Sequence, residues 1–288
     1  MGNDNKNDPV VTVIIPCYNS GKTLSEAVES VLSQSYSNIE CLIIDDGSDD
    51  LVTLNELDSA RARGVSVIKT VNRGLPAARN MGITKASGSF VLPLDADDWL
   101  EEDSVSVMLQ KFSDSRKREP NVNVAFVFGN MILHGARTGT RECFANPFEV
   151  LFRNTLSYCL MWDRSVLLDL GFYDQTMKFG YEDWELAIRA LNRGYTGRKV
   201  DREVLNYRVQ SSGMLLSQSR PKHETIFNSI CVKHQDIYFG MTKVSLRSVL
   251  ASDSRFHLVL LLAAYGIYRL PGGAQALCWA IRKRFSII

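Results

Sequence analysis

Val10 to Pro16 (VVTVIIP) is an unbroken apolar run that stops at a strand breaker, the pattern of a strand covered on both faces. Ser20-Gly21 then opens a stretch in which Leu24, Ala27, Val28, Val31 and Leu32 repeat at helical spacing. Ile39 to Asp46 (IECLIIDD) is a second strand that halts at Gly47-Ser48, and a helix over Leu51 to Arg63 is closed by Gly64. Val65 to Thr70 is a third strand, Asn72-Arg73-Gly74 a loop, Leu75 to Ala86 a helix, and Phe90 to Leu94 (FVLPL) a fourth strand. Strands alternating with helices at this spacing predict βαβ units and an α/β fold with a mainly parallel sheet flanked by helices. Pro93 is out of place in a central strand, which needs its N–H, and points to a bulge.

The second half is less regular. Val124 to Leu133 reads as a long strand, Gly135 to Thr140 as a turn, and Asn146 to Phe152 as the start of a helix. Tyr181 to Gly194 is a helix with Gly194 as its stop, Val204 to Val209 a strand, and Arg220 to Gly240 contains a further helix. No composition break marks a linker. The expected organisation is one compact domain over 1–240, with halves at about 10–100 and 120–240, followed by a helical appendage over 241–288.

That appendage changes the picture. Phe256 to Tyr268 is almost wholly apolar but too short to span a bilayer, which takes about 20 residues. From Arg255 onward there are five Lys/Arg and no acid, with Trp279 close to Arg282, Lys283 and Arg284. An amphipathic basic segment of this kind suits a membrane interface, or a helix packed on the core or on a second copy in a homodimer. The leader, MGNDNKNDP, lacks the apolar stretch of a secretory signal, and Lys6 breaks a myristoylation motif. The six cysteines form no C-x-x-C, which fits reduced thiols. A cytoplasmic protein, peripheral on the inner face of the cell membrane, is the expectation. The chain of 288 residues carries a net charge of +1, which gives no electrostatic case for nucleic acid.

In an open parallel sheet, ligands bind beyond the carboxyl ends of the strands. Those ends carry Pro16-Cys17-Tyr18-Asn19, Asp45-Asp46-Gly47-Ser48 and Asp95-Ala96-Asp97-Asp98. Clustered carboxylates repel, and a divalent cation relieves them. An oxygen donor set of this size suits Mg²⁺ or Mn²⁺ shared with phosphate. The other reading of the same residues is a solvated acidic turn that caps a helix. No P-loop or dinucleotide fingerprint is present. The four histidines are far apart and read as surface or packing residues.

Three ordered blocks resemble the inverting family 2 glycosyltransferases of GT-A fold, of the bacterial cell-surface polysaccharide type. They are VTVIIPCYNSGKTLSEAVESVLSQSYSNIECLIIDDGSDD, NRGLPAARNMGITKASGSFVLPLDADD and FGYEDWELAIRALNRGY. The resemblance implies a Rossmann-like nucleotide-binding donor half and an acceptor half. It implies transfer of a sugar, most often from a UDP-sugar, to a hydroxyl of a glycan or lipid-linked sugar. Pro16, Tyr18, Asn19 and Asp46 match positions around the nucleobase and ribose, and Arg79 a residue near the nucleotide. Asp95, Ala96 and Asp97 match the D-x-D motif, with Asp97 on the metal and Asp95 towards the ribose or the metal's waters. Asp183 matches the catalytic base, with Glu182 as the adjacent candidate. Both also suit a helix N-terminus, where capping alone would explain them. Arg208 is a candidate diphosphate contact. Many members carry a His after the Tyr-Arg pair, where this chain has Gln210, so the resemblance implies a metal without a His ligand. Trp184 and Trp162 are candidates to stack on a sugar, with a core role preferred for Trp162, and Asp174 to bind an acceptor hydroxyl.

Two other functions remain open at this point. A nucleotidyltransferase also uses an acidic metal site on an α/β sheet, although the loop after the first strand is a poor phosphate cradle. A non-catalytic nucleotide-sugar binding protein would keep the pocket without the chemistry.

Overall fold

The computed structural model describes residues 8–211, 215–238, 245, 249–250, 258–270, 273 and 276–277. The first ninety or so residues follow the βαβ pattern: β1 (Val11–Cys17), α1 (Gly21–Leu32), β2 (Ile39–Asp45), α2 (Leu51–Ala62), β3 (Ser66–Lys69), α3 (Leu75–Lys85) and β4 (Phe90–Pro93). These four strands run parallel in the order β3-β2-β1-β4. Every residue of β1 is buried, because helices cover both faces of the sheet. Gly82 lets α3 press onto β1: a Cβ there would sit 2.3 Å from Ile14 Cγ2.

The second half extends the same sheet. β5 (Trp99–Leu100) leads into α4 (Ser104–Arg118), then β6 (Val124–Gly135) and β7 (Gly139–Arg141) form a hairpin. β8 (Met161–Asp163) and α5 (Arg164–Leu170) precede α6 (Glu182–Asn192) and β9 (Thr196–Val209). β8 joins the halves, antiparallel to both β4 and β6. β6 and β9 are parallel, and β5 closes the far edge against β9, giving the order β3-β2-β1-β4-β8-β6-β9-β5.

Three expectations need correction. The irregular register lies between β6 and β9, not at Pro93. Pro93 ends its strand, and Leu94 N–H already turns to Ile14 O at 2.9 Å, so the missing N–H points towards β8, whose pairing stopped at Val91. Asn146 to Phe152 forms only a 3₁₀ turn, Glu149–Leu151, with Asn146 Oδ1 accepting from Phe148 and Glu149 N–H. β9 is 14 residues long, because its polar first half is carried by pairing with β6 rather than by burial.

Among the described residues three more α-helices follow: α7 (His223–Lys233), α8 (Gln235–Tyr238) and α9 (Leu258–Arg269). α9 docks through Tyr265 and Tyr268 onto Phe148, with ring centroids 5.8 and 5.4 Å apart. Leu262, Ile267 and Leu270 face outward, 40%, 43% and 60% exposed. The basic cluster Arg282-Lys283-Arg284 lies outside the described residues. No helix among the described residues is long and apolar enough to cross a membrane.

Candidate active site

A cleft of about 1890 Å³ opens over the carboxyl ends of β1, β2 and β4, walled on its far side by the α6 start, the β6–β7 turn and the end of β9. The residues expected to hold donor and metal, and both acids that open α6, line it; of the acceptor-side candidates, Asp174 and Trp162 do not.

At the donor end, Pro16 closes β1 and half-exposed Tyr18 stands on the rim. Asn19 takes a left-handed backbone (φ 49°), which Asn tolerates. Its side chain is a staple: Nδ2 donates to Asp49 Oδ1 at 2.9 Å and Oδ1 accepts from Asp49 N–H at 3.1 Å. Asn19 therefore ties the loop after β1 to the loop after β2. Asp46 is 3% exposed and accepts from Arg73 N–H (2.9 Å) and Gly74 N–H (2.7 Å). Oδ1 also accepts from Thr70 Oγ1 at 3.2 Å, whereas Oδ2 keeps a lone pair, so the carboxylate is positioned by these donors and still able to accept from a base.

The acids after β4 have different fates. Asp98 is 1% exposed, accepts from Tyr158 Oη (2.6 Å) and Arg208 N–H (2.7 Å), and is held well above the usual carboxylate range by burial and its acid neighbours. It locks the loop to β9. Asp95 and Asp97 face the cleft with buried Ala96 between them. Burial, then Asp95, push the Asp97 carboxyl up to about 6. Gln210 Nε2 donates to Asp97 Oδ2 at 2.5 Å, so the glutamine replaces the expected histidine at the acid itself. Arg208 donates through Nε to Asp97 O (3.0 Å), pairs with Glu26, and lies 5.0 Å over Trp99.

Arg79 is fully buried and joins the two sets of acids: it donates to Asp95 Oδ1 at 2.7 Å and to Glu182 Oε1 at 2.6 Å. Tyr158 and Tyr173 rings flank its guanidinium at 5.3 and 5.5 Å. Burial pushes the Glu182 carboxyl up to about 7 against the pull of Arg79. Asp183 is half-buried and accepts from Asn154 Nδ2 at 3.2 Å. Tyr181, just before it, has φ 67°, a strained backbone for an aromatic residue, and this aims the first turn of α6 into the cleft.

Two acceptor-side expectations fail. Trp184 is 2% exposed, donates to Val150 O at 2.5 Å and stacks on Phe227 at 5.4 Å, so it is core and has no face for a sugar. Asp174 pairs with Lys233, accepts from Thr176, and stays off the cleft. Trp162 is core, as preferred. Sequence reasoning missed Tyr158, Asn154 and Arg141 because they lie between the recognisable blocks, and His223 because no ligand spacing marks it. His223 lines the cleft with Nδ1 3.1 Å from Tyr181 Oη.

Residues 12–130 match the family model described as Glycosyl transferase family 2. This part of the chain, from β1 into β6, is thus similar to family 2 glycosyltransferases. WfaP of Escherichia coli, a UDP-Glc:alpha-D-GlcNAc-diphosphoundecaprenol beta-1,3-glucosyltransferase, is 26% identical over 231 residues, 78% of this chain and 88% of WfaP. WfgD of Escherichia coli, described by the same reaction, is 31% identical over 168 residues, covering 56% of this chain and 61% of WfgD. Glycosyltransferase GlyA of Streptococcus pneumoniae is 37% identical over 109 residues, 36% of this chain. The chain spans only 15% of GlyA and 52% of an uncharacterized glycosyltransferase of Haemophilus influenzae. The solved structure of S. aureus TarS 1-349 in complex with UDP-GlcNAc superposes with a TM-score of 0.64 at 18% identity, covering 93% of this chain and 83% of that one. The fold is thus that of TarS, GT-A-like as the sequence implied.

Proposed function

We propose that this chain moves a sugar, with inversion, from a UDP-sugar to a hydroxyl of a lipid-linked acceptor. The observation that carries the reading is the convergence of two acid pairs, Asp95/Asp97 and Glu182/Asp183, on one cleft. Asp46 and Tyr18 offer a nucleobase an acceptor and a ring. Asp183 takes the proton of the attacking hydroxyl, which a carboxylate within hydrogen-bond reach can do. Glu182 is buried with Oε1 held by Arg79 at 2.6 Å, which leaves half-buried Asp183 the more accessible base. Asn154 fixes the Asp183 carboxylate in place. The names of WfaP and WfgD support a UDP-hexose donor and a diphosphate-linked lipid acceptor.

The donor set fits a Mg²⁺ or Mn²⁺ ion held by Asp97, with Asp95 beside it. Asp97 is a cleft acid raised by burial and a like charge, which a cation would relieve. Among the described residues no three His, Cys, Asp or Glu side chains form a metal cluster. The set is therefore suited to an ion that takes its remaining oxygens from diphosphate and water. Held there, it would supply positive charge to offset the charge of a departing diphosphate. Arg208 adds a guanidinium at the same end.

The reading also places the chain on the inner face of a membrane. The outward apolar residues of α9 and the basic sequence after it support this.

Thermal shift with UDP, GDP, CDP and TDP, each with Mn²⁺, Mg²⁺ or EDTA, tests the donor site. A nucleotide at 100 times its dissociation constant adds about 2.7 kcal/mol to stability. Stabilisation by UDP with metal, lost in Asp97→Ala, is the expected result. A folded protein that no nucleotide stabilises would overturn the reading.

A further inference from the structure

We infer that Arg141 and Arg220, on either flank of Asp183, receive the phosphate through which the acceptor sugar is joined to its carrier. The inference rests on the glycosyl-transfer reading above and names the chemistry of its acceptor.

The arginines of the cleft fall into two groups. Arg79 is neutralised by Asp95 and Glu182, Arg153 pairs with Glu149, and Arg208 pairs with Glu26. Arg137, Arg141 and Arg220 also line the cleft, and none of the three is in an ion pair among the described residues; Arg137 is exposed on the β6–β7 turn, whereas Arg141 and Arg220 are tied to the segments that hold the base.

Arg141 is half-buried at the end of β7. Its Nη2 donates to Asn154 O at 2.9 Å and to Leu156 O at 3.1 Å. Two backbone carbonyls hold the guanidinium in one orientation and leave its charge uncompensated. Asn154 is also the residue that donates to Asp183, so this fixed cation stands one residue from the base. A guanidinium taken partly out of water without a counter-charge costs free energy, and an anionic group with paired oxygens offsets that cost best.

Arg220 comes to the other flank. Its neighbour Ser219 donates to Phe179 O at 2.7 Å, pinning this segment against the turn that precedes α6. Arg220 lies near enough to act on the Tyr181 phenol electrostatically. Glu224 also lines this wall and forms no ion pair with Arg220 among the described residues.

The donor's own diphosphate does not account for these two cations. It belongs by Asp97 and Arg208, at the ends of β4 and β9, whereas Arg141 and Arg220 are tied to the segments that hold the base. An acceptor sugar joined through phosphate to its carrier brings an anion into the same half of the cleft as the hydroxyl it offers.

Hexyl diphosphate, titrated calorimetrically into the protein with saturating UDP and Mn²⁺, tests this. The wild type should bind it, and Arg141→Gln with Arg220→Gln should weaken binding about tenfold or more, the effect of losing charge-assisted hydrogen bonds. Should Arg141→Gln fail to fold, Arg220→Gln alone gives the comparison. No binding by folded wild type, or undiminished binding in the arginine variants, overturns the inference. Inorganic pyrophosphate bound as tightly as hexyl diphosphate identifies a free-phosphate site and overturns the acceptor assignment. Stabilisation by UDP alone, measured beforehand, reports on the donor site separately, so failure of the two readings is distinguishable.

Discussion

Arg79 and Glu182 meet at 2.6 Å with both side chains buried, one from a donor-half helix and the other from the first turn of α6. Removing one partner of a buried pair strands the other charge. Arg79→Met should therefore lower unfolding free energy by about 3–5 kcal/mol, measured by urea denaturation. A loss below about 1 kcal/mol, the scale of an exposed pair, would show that the link carries little.

The Glu182 carboxyl also gives stability a pH dependence. Its folded value of about 7 stands above the ordinary 4.5. Between those values the folded protein holds a proton that the unfolded chain has released, so stability falls as pH rises through that window. Denaturation midpoints without ligand should drop from pH 5 to pH 7.5, and Glu182→Gln should flatten the slope. A slope unchanged in Glu182→Gln would assign the effect to other acids, Asp98 first.

Asp183→Asn should keep the fold and UDP binding and lower kcat by about 10²–10⁴-fold, the usual worth of a general base. Single-turnover transfer assays would read it. A variant that turns over at the wild-type rate would remove Asp183 from the mechanism.

Gly82→Ala would drive a Cβ into Ile14 Cγ2 at 2.3 Å. Overpacking of this kind costs about 1–3 kcal/mol. Thermal unfolding should show the loss, and Ile14→Ala, which removes Cγ2, should cost less in the Gly82→Ala chain than in the wild type, a recovery read as coupling between the two sites. No recovery would place the strain elsewhere.

The donor half was legible because its physics is local. Each strand there is a continuous apolar run, each helix has one apolar stripe, and the acids follow the strands directly. The site residues were readable because they sit at those strand ends or, like Glu182 and Asp183, open an amphipathic helix. What escaped depends on distant pairing. β8 is three residues long and acquires its identity from β4 and β6 on either side. The first half of β9 is polar and exists through β6. In α4 the stripe Val105, Met108, Phe112 is present, but polar neighbours hide it. Trp184 was misjudged because an aromatic beside a catalytic acid reads alike whether its ring faces a ligand or Phe227.

β5 follows β4 by only a few residues, yet it lies at the far edge of the sheet, bonded to β9 through Trp99↔Asn206 and Leu100↔Leu205. The acidic loop between them is thus strung between the middle of the sheet and a strand made about a hundred residues later. During synthesis, a chain that has emerged as far as residue 100 holds all four parallel strands but not the anchor of its acids. The donor pocket matures only once β9 has left the ribosome. The first half is consequently no portable nucleotide-binding cassette: spliced onto another acceptor half, it would need a β9 of matching register before its acids took their places.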